Sequence, residues 1–140
     1  MNAAEQIVRD FFNGFTNGDV DVMDQFFDPN VEYTVIHPET NETNRAVPWA
    51  GRYQGLDQAK AFIARLLSNI TVTGIHADDL IAQDNRVAVF GRFYYTAQST
   101  GNEFFSYFAI RIEVTNGKIT KYHFYEDTFA VAFAFRDDGY

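Results

Sequence analysis

The sequence predicts an α+β fold in which helices from the first half of the chain cover the concave face of a curved antiparallel sheet, followed by a short C-terminal helix. Apolar residues recur at helical spacing only before residue 68, whereas residues 70–127 alternate as long strands. The Asn116-Gly117 pair between two β-prone runs is a strong hairpin signal, because both residues tolerate positive φ. A length of 140 residues, 46% of them hydrophobic, fits one domain spanning residues 1–140.

Three helices are predicted in the first half of the chain. Apolar residues recur every four positions over residues 3–15, which indicates an amphipathic helix. Asp19 is a suitable cap for a second, short helix that Asp28-Pro29-Asn30 ends, and Gly55-Leu56-Asp57 opens the third. Residues 39–54 are polar and have no sustained period, so we expect a long loop of the kind that often forms a lid.

The strands are separated by turn residues, and the last strand runs into a closing helix. Strands are predicted at 31–36, 70–81, 86–97, 103–115 and 118–127. Asp127 or Thr128 caps the helix that follows. A period of two places Tyr122, Phe124 and Glu126 on one face of the last strand.

Composition excludes several classes of function. A net charge of −8 argues against nucleic-acid and anionic-membrane surfaces, which attract clustered Lys and Arg. The chain has no cysteine, so disulfides, thiolate metal sites and a Cys nucleophile are excluded. Its three histidines lack ligand spacing, and no phosphate-binding glycine loop is present, so we expect neither a metal nor a cofactor. Without a signal peptide or an apolar span, the chain is expected to be cytoplasmic.

Aromatic residues make up 17% of the chain. Such large, stiff side chains fill a core, and they suit the wall of an apolar cavity equally well. If the strands are regular, Phe104 and Phe108 lie on the opposite face of the sheet from Phe105 and Tyr107, so both faces are apolar. A sheet that is apolar on both faces needs cover on both, and no predicted helix remains for the outer face. We therefore expect a homodimer through the outer sheet face.

Two stretches resemble the SnoaL-like branch of the nuclear transport factor 2-like superfamily. They are Pro48-Trp49-Ala50-Gly51-Arg52-Tyr53-Gln54-Gly55 and Gly117-Lys118-Ile119…Tyr125-Glu126-Asp127-Thr128. The resemblance covers essentially the whole chain and implies a cone-shaped fold with a deep pocket between the concave sheet face and the helices. It also implies dimers through the outer face. The fold hosts isomerases, cyclases, epoxide hydrolases, dehydratases and non-catalytic binding domains, so it is weakly specific for function.

The catalytic residues of ketosteroid isomerase are not retained here. Phe11 and Val35 stand where the alignment expects its oxyanion tyrosine and its aspartate base, and Ala109 stands at its second oxyanion acid. That acid-and-phenol machinery is therefore missing.

The catalytic residues of two other relatives are also missing. The Arg-x-Asp pair of limonene epoxide hydrolase falls on Gly91 and Phe93, and its last-strand aspartate falls on Phe124. The acid of SnoaL-type polyketide cyclases maps at or near Phe124 as well. The resemblance therefore implies a pocket in this chain, but one without the catalytic residues of these relatives.

The alignments imply a set of inward side chains: Phe93, Tyr95, Phe105, Tyr107, Tyr122, Phe124 and Glu126. Phe11, Phe15, Val35 and Trp49 complete the predicted ligand-binding set, with Trp49 either a lid over the ligand or an anchor for its loop. Tyr107 and Tyr122 either donate hydrogen bonds to a ligand carbonyl or satisfy their hydroxyls locally.

Glu126 is the only acid that this pattern places inside. Apolar walls disfavour a carboxylate, so Glu126 is a candidate general acid or base. The alternative is a solvated position at the rim, or a pair with Arg52 or Arg111. His37 shares a face with Val35 and is a candidate catalytic partner of Glu126, although a histidine beside a proline is more often plain surface.

The sequence leaves three functions open. The first is binding of a small, largely apolar ligand in an aromatic cavity. The second is an isomerase or cyclase that moves protons on a carbonyl-containing polycyclic or isoprenoid-like substrate. The third is a non-catalytic dimeric interaction module, in which the aromatic residues form only core and dimer seam.

Overall fold

A computed structural model describes residues 2–16, 21–37, 47 and 49–135 of the chain. Its elements are α1 (Ala3–Thr16), α2 (Val22–Phe26), β1 (Phe27–Val35), β2 (Gly51–Gln54), α3 (Leu56–Leu67), β3 (Ile70–Gln83), β4 (Arg86–Ala97), β5 (Glu103–Thr115), β6 (Lys118–Glu126) and α4 (Thr128–Ala134). The predicted α+β class is confirmed, with three helices in the first half and a short one near the end. None of the helices described is long and apolar enough to cross a lipid bilayer.

Six strands form one sheet in the order β2-β1-β6-β5-β4-β3. Neighbouring strands are antiparallel except at β1 and β6, which run parallel. The sequence predicted antiparallel pairs because it showed only hairpins. β1 and β6 are paired although they lie far apart in the sequence, so no short turn fixes their relative direction.

Two boundaries differ from the sequence prediction. Asp28-Pro29-Asn30 was expected to end a helix, but it lies inside β1. The pairing of β1 with β6 shifts register between Phe27 and Glu32, so Pro29 lies where the ladder is interrupted and its missing N–H does little harm. Residues 51–54 of the predicted loop form strand β2 on the edge of the sheet. Asp19 and most of the remaining loop fall outside the described residues.

The facing predicted for β5 is wrong. Phe105 and Tyr107 were expected inside, but they are 39% and 69% exposed on the outer face. Tyr95 is paired with Phe104 across β4 and β5. Four residues connect Ala97 to Asn102, whose backbone groups are hydrogen-bonded at 2.8 Å. An even-numbered connection places odd residues of β4 beside even residues of β5, so Phe104 lies inside.

The facing predicted for β6 agrees with the structure, for a reason that the turn alone does not supply. The turn residues Asn116 and Gly117 both have positive φ, as predicted. The register then shifts between Glu113 and Val114, which inserts one residue into β6. Because of that bulge, Ile119 and Tyr122 are both buried. From Tyr122 onward, the even-numbered side chains face the interior.

Helix α4 begins immediately after the last inward residue of β6. The Asp127 carboxylate accepts a hydrogen bond from Ala130 N at 3.1 Å, which is the predicted cap. The backbone N–H of Asp127 donates to Ser106 Oγ at 2.9 Å, and Ser106 is buried in β5. These contacts fix the end of β6, and therefore the position of Glu126, against the middle of the sheet.

Candidate functional site

A pocket lies between helices α1 and α3 and the inner face of the sheet. Fifteen described residues line it: nine aromatic, five aliphatic and one acidic. The space between these side chains amounts to about 590 Å³ when the part open to solvent is included. The centre of a water molecule can occupy about 60 Å³ of that space. The pocket is therefore narrow, and it suits a slender or flat molecule better than a bulky one.

Seven residues of the predicted site lie in this lining. They are Phe15, Val35, Trp49, Tyr95, Tyr122, Phe124 and Glu126. They come from α1, β1, the segment before β2, β4 and β6, so the fold brings together residues that are far apart in the chain. Their predicted role in ligand binding stays a prediction.

Glu126 is the only charged side chain among the described residues of the lining. Burial raises the pKa of its carboxyl to about 7, an effect that the Trp49 indole opposes and the charge of Asp127 reinforces. Trp49 Nε1 donates a long hydrogen bond of 3.4 Å to Glu126 Oε1. A carboxyl with this pKa exists in both protonation states near neutral pH, so it can accept and return a proton there.

Three phenols accompany this carboxyl. Burial raises the pKa values of Tyr33, Tyr95 and Tyr122, so all three are neutral at physiological pH. The Tyr33 and Tyr122 rings are stacked with centroids 4.6 Å apart. Their side-chain hydrogen bond raises the pKa of Tyr33 and lowers that of Tyr122, as expected if Tyr33 donates. The pocket therefore combines one carboxyl with phenols that are neutral at physiological pH.

Trp49 is held in place by Tyr53 and Phe135. Its backbone oxygen accepts a hydrogen bond of 2.6 Å from the Tyr53 hydroxyl on β2. Arg65 on α3 donates to the same hydroxyl at 2.7 Å. The Trp49 ring packs edge-on against Phe135, with centroids 5.3 Å apart. The indole is thus positioned by the protein before any ligand arrives.

Four residues of the predicted ligand-binding set do not line the pocket. Phe11 packs behind it, with its ring centroid 6.3 Å from that of Tyr122. Phe93 is fully buried and stacks on Tyr95 at 4.2 Å, so it supports the wall from the second layer. Phe105 and Tyr107 lie on the opposite face of the sheet, as described above. The prediction that Tyr107 donates a hydrogen bond to a ligand in the pocket is therefore wrong.

His37 does not lie in the described lining. Both of its ring nitrogens are buried without a hydrogen-bond partner among the described residues, and no contact described there joins it to Glu126. The alternative pairing of Glu126 with an arginine is wrong, because Arg52 lies 3.5 Å from Glu32 and Arg111 lies 3.8 Å from Glu113. Within the described ranges, no cluster of three acidic or histidine side chains is placed to hold a metal ion.

Sequence reasoning missed eight lining residues. They are the aromatic Phe12, Tyr33, Phe62 and Phe104 and the aliphatic Ile63, Leu66, Ile75 and Ile110. A signal existed for two of the aromatic ones. Tyr33 alternates in phase with Val35, which was predicted inside, and counting residues through the turn after Ala97 places Phe104 inside.

Residues 8–122 of the chain match the family model of the SnoaL-like domain. The chain therefore belongs to the SnoaL-like family. None of the curated proteins compared with the chain matches it. The comparison with solved structures finds the same fold in several proteins.

Two of these similar structures are NTF2-like proteins from Burkholderia. The one from Burkholderia thailandensis E264 is 27% identical, with a TM-score of 0.85, over 97% of this chain and 99% of that one. The one from Burkholderia xenovorans LB400 is 25% identical, with a TM-score of 0.78, over 96% of each chain. A candidate SnoaL-like polyketide cyclase from Mesorhizobium loti is 19% identical, with a TM-score of 0.71, over 86% of this chain and 96% of that one. At that identity the likeness shows the fold alone.

In this SnoaL-like domain, the position aligned with the epoxide hydrolase arginine has no room for a side chain. A Cβ at Gly91 would lie 2.0 Å from the His76 carbonyl oxygen and 2.5 Å from the Phe108 ring. The neighbouring aligned position is Phe93, which is fully buried in the aromatic layer. At both aligned positions, packed backbone and aromatic side chains therefore occupy the space that the catalytic residues of the epoxide hydrolase would need.

Proposed function

We propose that this SnoaL-like domain binds a small, largely apolar molecule in the aromatic pocket. The observation that carries the proposal is a pocket with unfilled space whose described lining consists of one carboxyl residue and fourteen aromatic and aliphatic residues. Glu126 is half-buried, and no ion pair with it is found among the described residues. Removing water from a carboxyl without such a partner costs free energy. A group kept at such a cost is typical of a functional site.

The shape of the pocket limits the ligand. Stacked rings such as Tyr33 and Tyr122 form flat walls, and the free space between the walls is narrow. A ligand with one ring or a slender chain fits this space with little rearrangement. A polycyclic ligand requires side chains to rotate outward. The polar contacts available to it are the Glu126 carboxyl and the phenol hydroxyls.

Two adjacent leucines on α3 test the pocket. Leu66 lines it, whereas Leu67 is 43% exposed and lies outside the lining. Cyclohexanol is a neutral probe with one ring, and its binding is measured by the change in emission of Trp49, which lines the pocket. Leu66→Phe is expected to weaken binding about tenfold, which corresponds to roughly 1.4 kcal/mol, because the larger ring occupies the free space.

Leu67→Phe is the matched control and should bind the probe like the wild type. Equal affinities in both variants, or no binding by the wild type, would contradict the proposed pocket.

A second function, an isomerase or cyclase working by proton transfer, is favoured by one observation. Glu126 has a pKa of about 7 and lies in the same pocket as the hydroxyls of Tyr95 and Tyr122. Such a carboxyl can move a proton beside a ligand carbonyl while a phenol stabilises the developing oxyanion. This function requires that Glu126→Gln stop turnover while leaving binding of the neutral probe intact.

We also propose that two copies of the chain pair through the outer sheet face. Five exposed aromatic side chains lie there on three adjacent strands: Phe90, Tyr94, Phe105, Tyr107 and Tyr125. The rings of Phe105 and Tyr94 are 5.0 Å apart, and those of Phe105 and Tyr107 are 4.9 Å apart, so three of the five rings form one cluster. An exposed aromatic cluster on a sheet face is typical of a protein interface, and a second copy offers a surface of the same chemistry.

Tyr107→Asp is expected to convert the dimer to a monomer, because it places a charge at the centre of this patch. Light scattering after size-exclusion chromatography measures the mass. Phe129→Asp is the control, since Phe129 is 74% exposed on α4 rather than on the sheet. A monomeric wild type, or dissociation caused by Phe129→Asp alone, would show that the sheet face is not the interface.

A further inference from the structure

The described lining of the pocket contains one acidic residue and no basic residue. Glu126 is the sole charged group in the described lining, and that lining contains no Lys, Arg or His. A second carboxylate, Asp127, lies close enough to disfavour ionisation of Glu126. The whole chain carries a net charge of −8. A positively charged ligand is therefore attracted both at long range and inside the pocket, whereas an anion is repelled.

The rings near Glu126 suit the same kind of ligand. Trp49 contacts the carboxyl through its indole N–H, and Tyr95 lies within electrostatic range of it. Phe124 lies two residues before Glu126 on the inner side of β6, and both line the pocket. The faces of Trp, Tyr and Phe rings carry negative potential and attract ammonium groups, particularly where water is excluded.

We propose that the ligand of this pocket carries a tertiary or quaternary ammonium group on a small apolar body, with the cation held between the aromatic rings and the Glu126 carboxylate. This inference rests on the proposed ligand-binding function. A neutral ligand that displaces water from Glu126 leaves the carboxylate without a partner, which is costly. A carboxylate or phosphate ligand adds like charge to the same space. An ammonium ligand supplies the counter-charge that no described lining residue provides.

A pair of probes with equal shape and different charge tests the inference. Choline and 3,3-dimethylbutan-1-ol differ only in the replacement of the positively charged nitrogen by carbon. Neither absorbs near 280 nm, and Trp49 is the only tryptophan of the chain, so its emission reports occupancy of the pocket. All titrations are made at pH 8 and a constant ionic strength of about 0.15 M, where the Debye length is about 8 Å, so that long-range attraction is screened equally.

The wild type is expected to bind choline at least tenfold more tightly than the alcohol. Glu126→Gln should remove most of this preference, because it weakens the binding of choline and also removes the carboxylate that a neutral ligand has to desolvate. Glu113→Gln is the matched control, because Glu113 lies outside the pocket lining and approaches Lys121 at 3.6 Å. That variant also loses one negative charge, yet it should keep the wild-type preference.

The other outcomes separate this inference from the proposed function. If 3,3-dimethylbutan-1-ol binds as tightly as choline, or if neither binds while cyclohexanol does, the ammonium inference is wrong and the apolar pocket stands. If Glu113→Gln lowers the preference as much as Glu126→Gln, the effect is general charge and the inference fails. If none of the three probes binds, both the inference and the proposed function fail.

Discussion

Glu126→Gln is expected to raise the free energy of unfolding at pH 8 by about 2 to 3 kcal/mol. Burial raises the pKa of Glu126 from 4.5 to about 7 in the folded chain. One pKa unit corresponds to about 1.4 kcal/mol, which sets an upper limit near 3.4 kcal/mol for the cost of ionisation in the folded state. Gln removes that cost and weakens only a long contact with Trp49.

Because the pKa of Glu126 is raised in the folded chain, its ionisation makes the folded state less stable as the pH rises. Below the unfolded-state pKa, Glu126 is protonated in both states and costs nothing. As the pH rises from about 4.5 through 7, the unfolded chain releases its proton first, so the wild type loses this part of its stability. The difference between Glu126→Gln and wild type should therefore be small at pH 5 and reach its full value above pH 7.

Urea unfolding followed by circular dichroism, from pH 5 to pH 8.5, measures this difference. Subtracting the unfolding free energy of the wild type from that of the variant cancels the contributions of the other acidic groups, which the two proteins share. A difference that does not change with pH, or a variant less stable than wild type at pH 8, would contradict the buried position of the carboxyl.

Gly91→Ala is expected to lower the free energy of unfolding by about 3 kcal/mol or more. The new methyl group would meet the His76 carbonyl oxygen at 2.0 Å and the Phe108 ring at 2.5 Å. The backbone has little freedom to move, because β4 is paired on one side with β3 and on the other with β5. Forced overpacking of this kind costs about 1 to 3 kcal/mol, and more where backbone is struck.

Gly101→Ala is the control for the same chemical change. A Cβ there has no atom within 4 Å, so the only cost comes from its positive φ of 76° and should be about 1 kcal/mol. Equal losses in the two variants, measured by urea unfolding, would mean that Gly91 is not packed as described.

The fold was predictable where the deciding signals are local. The Asn116-Gly117 turn, the cap at Asp127 and the apolar stripe of α1 each depend on a few neighbouring residues, and all three appear in the structure. The facing of β5 depends on the number of residues that connect Ala97 to Asn102. One residue more or fewer exchanges the inner and outer faces of β5. The alignments that placed Phe105 and Tyr107 inside did not take this count into account.

The candidate site was predictable only in part, because much of it depends on contacts between distant segments. Alternation along β6 was enough to place Glu126 with Phe124 and Tyr122. The stacking of Tyr33 on Tyr122 requires the parallel pairing of β1 with β6, which no turn signal announces. The contact of Trp49 with Glu126 joins residues 77 positions apart. It was not predictable because Trp49 lies in a segment whose sequence has no periodicity.

The most direct test of the aromatic pocket and its enclosed carboxyl is an NMR titration of the Glu126 side-chain carboxyl carbon, assigned by comparison with Glu126→Gln. A carboxyl enclosed by aromatic and aliphatic walls should titrate with a midpoint near pH 7. A midpoint near the ordinary value of 4.5 would place the group in bulk water and would contradict both the binding and the proton-transfer proposals.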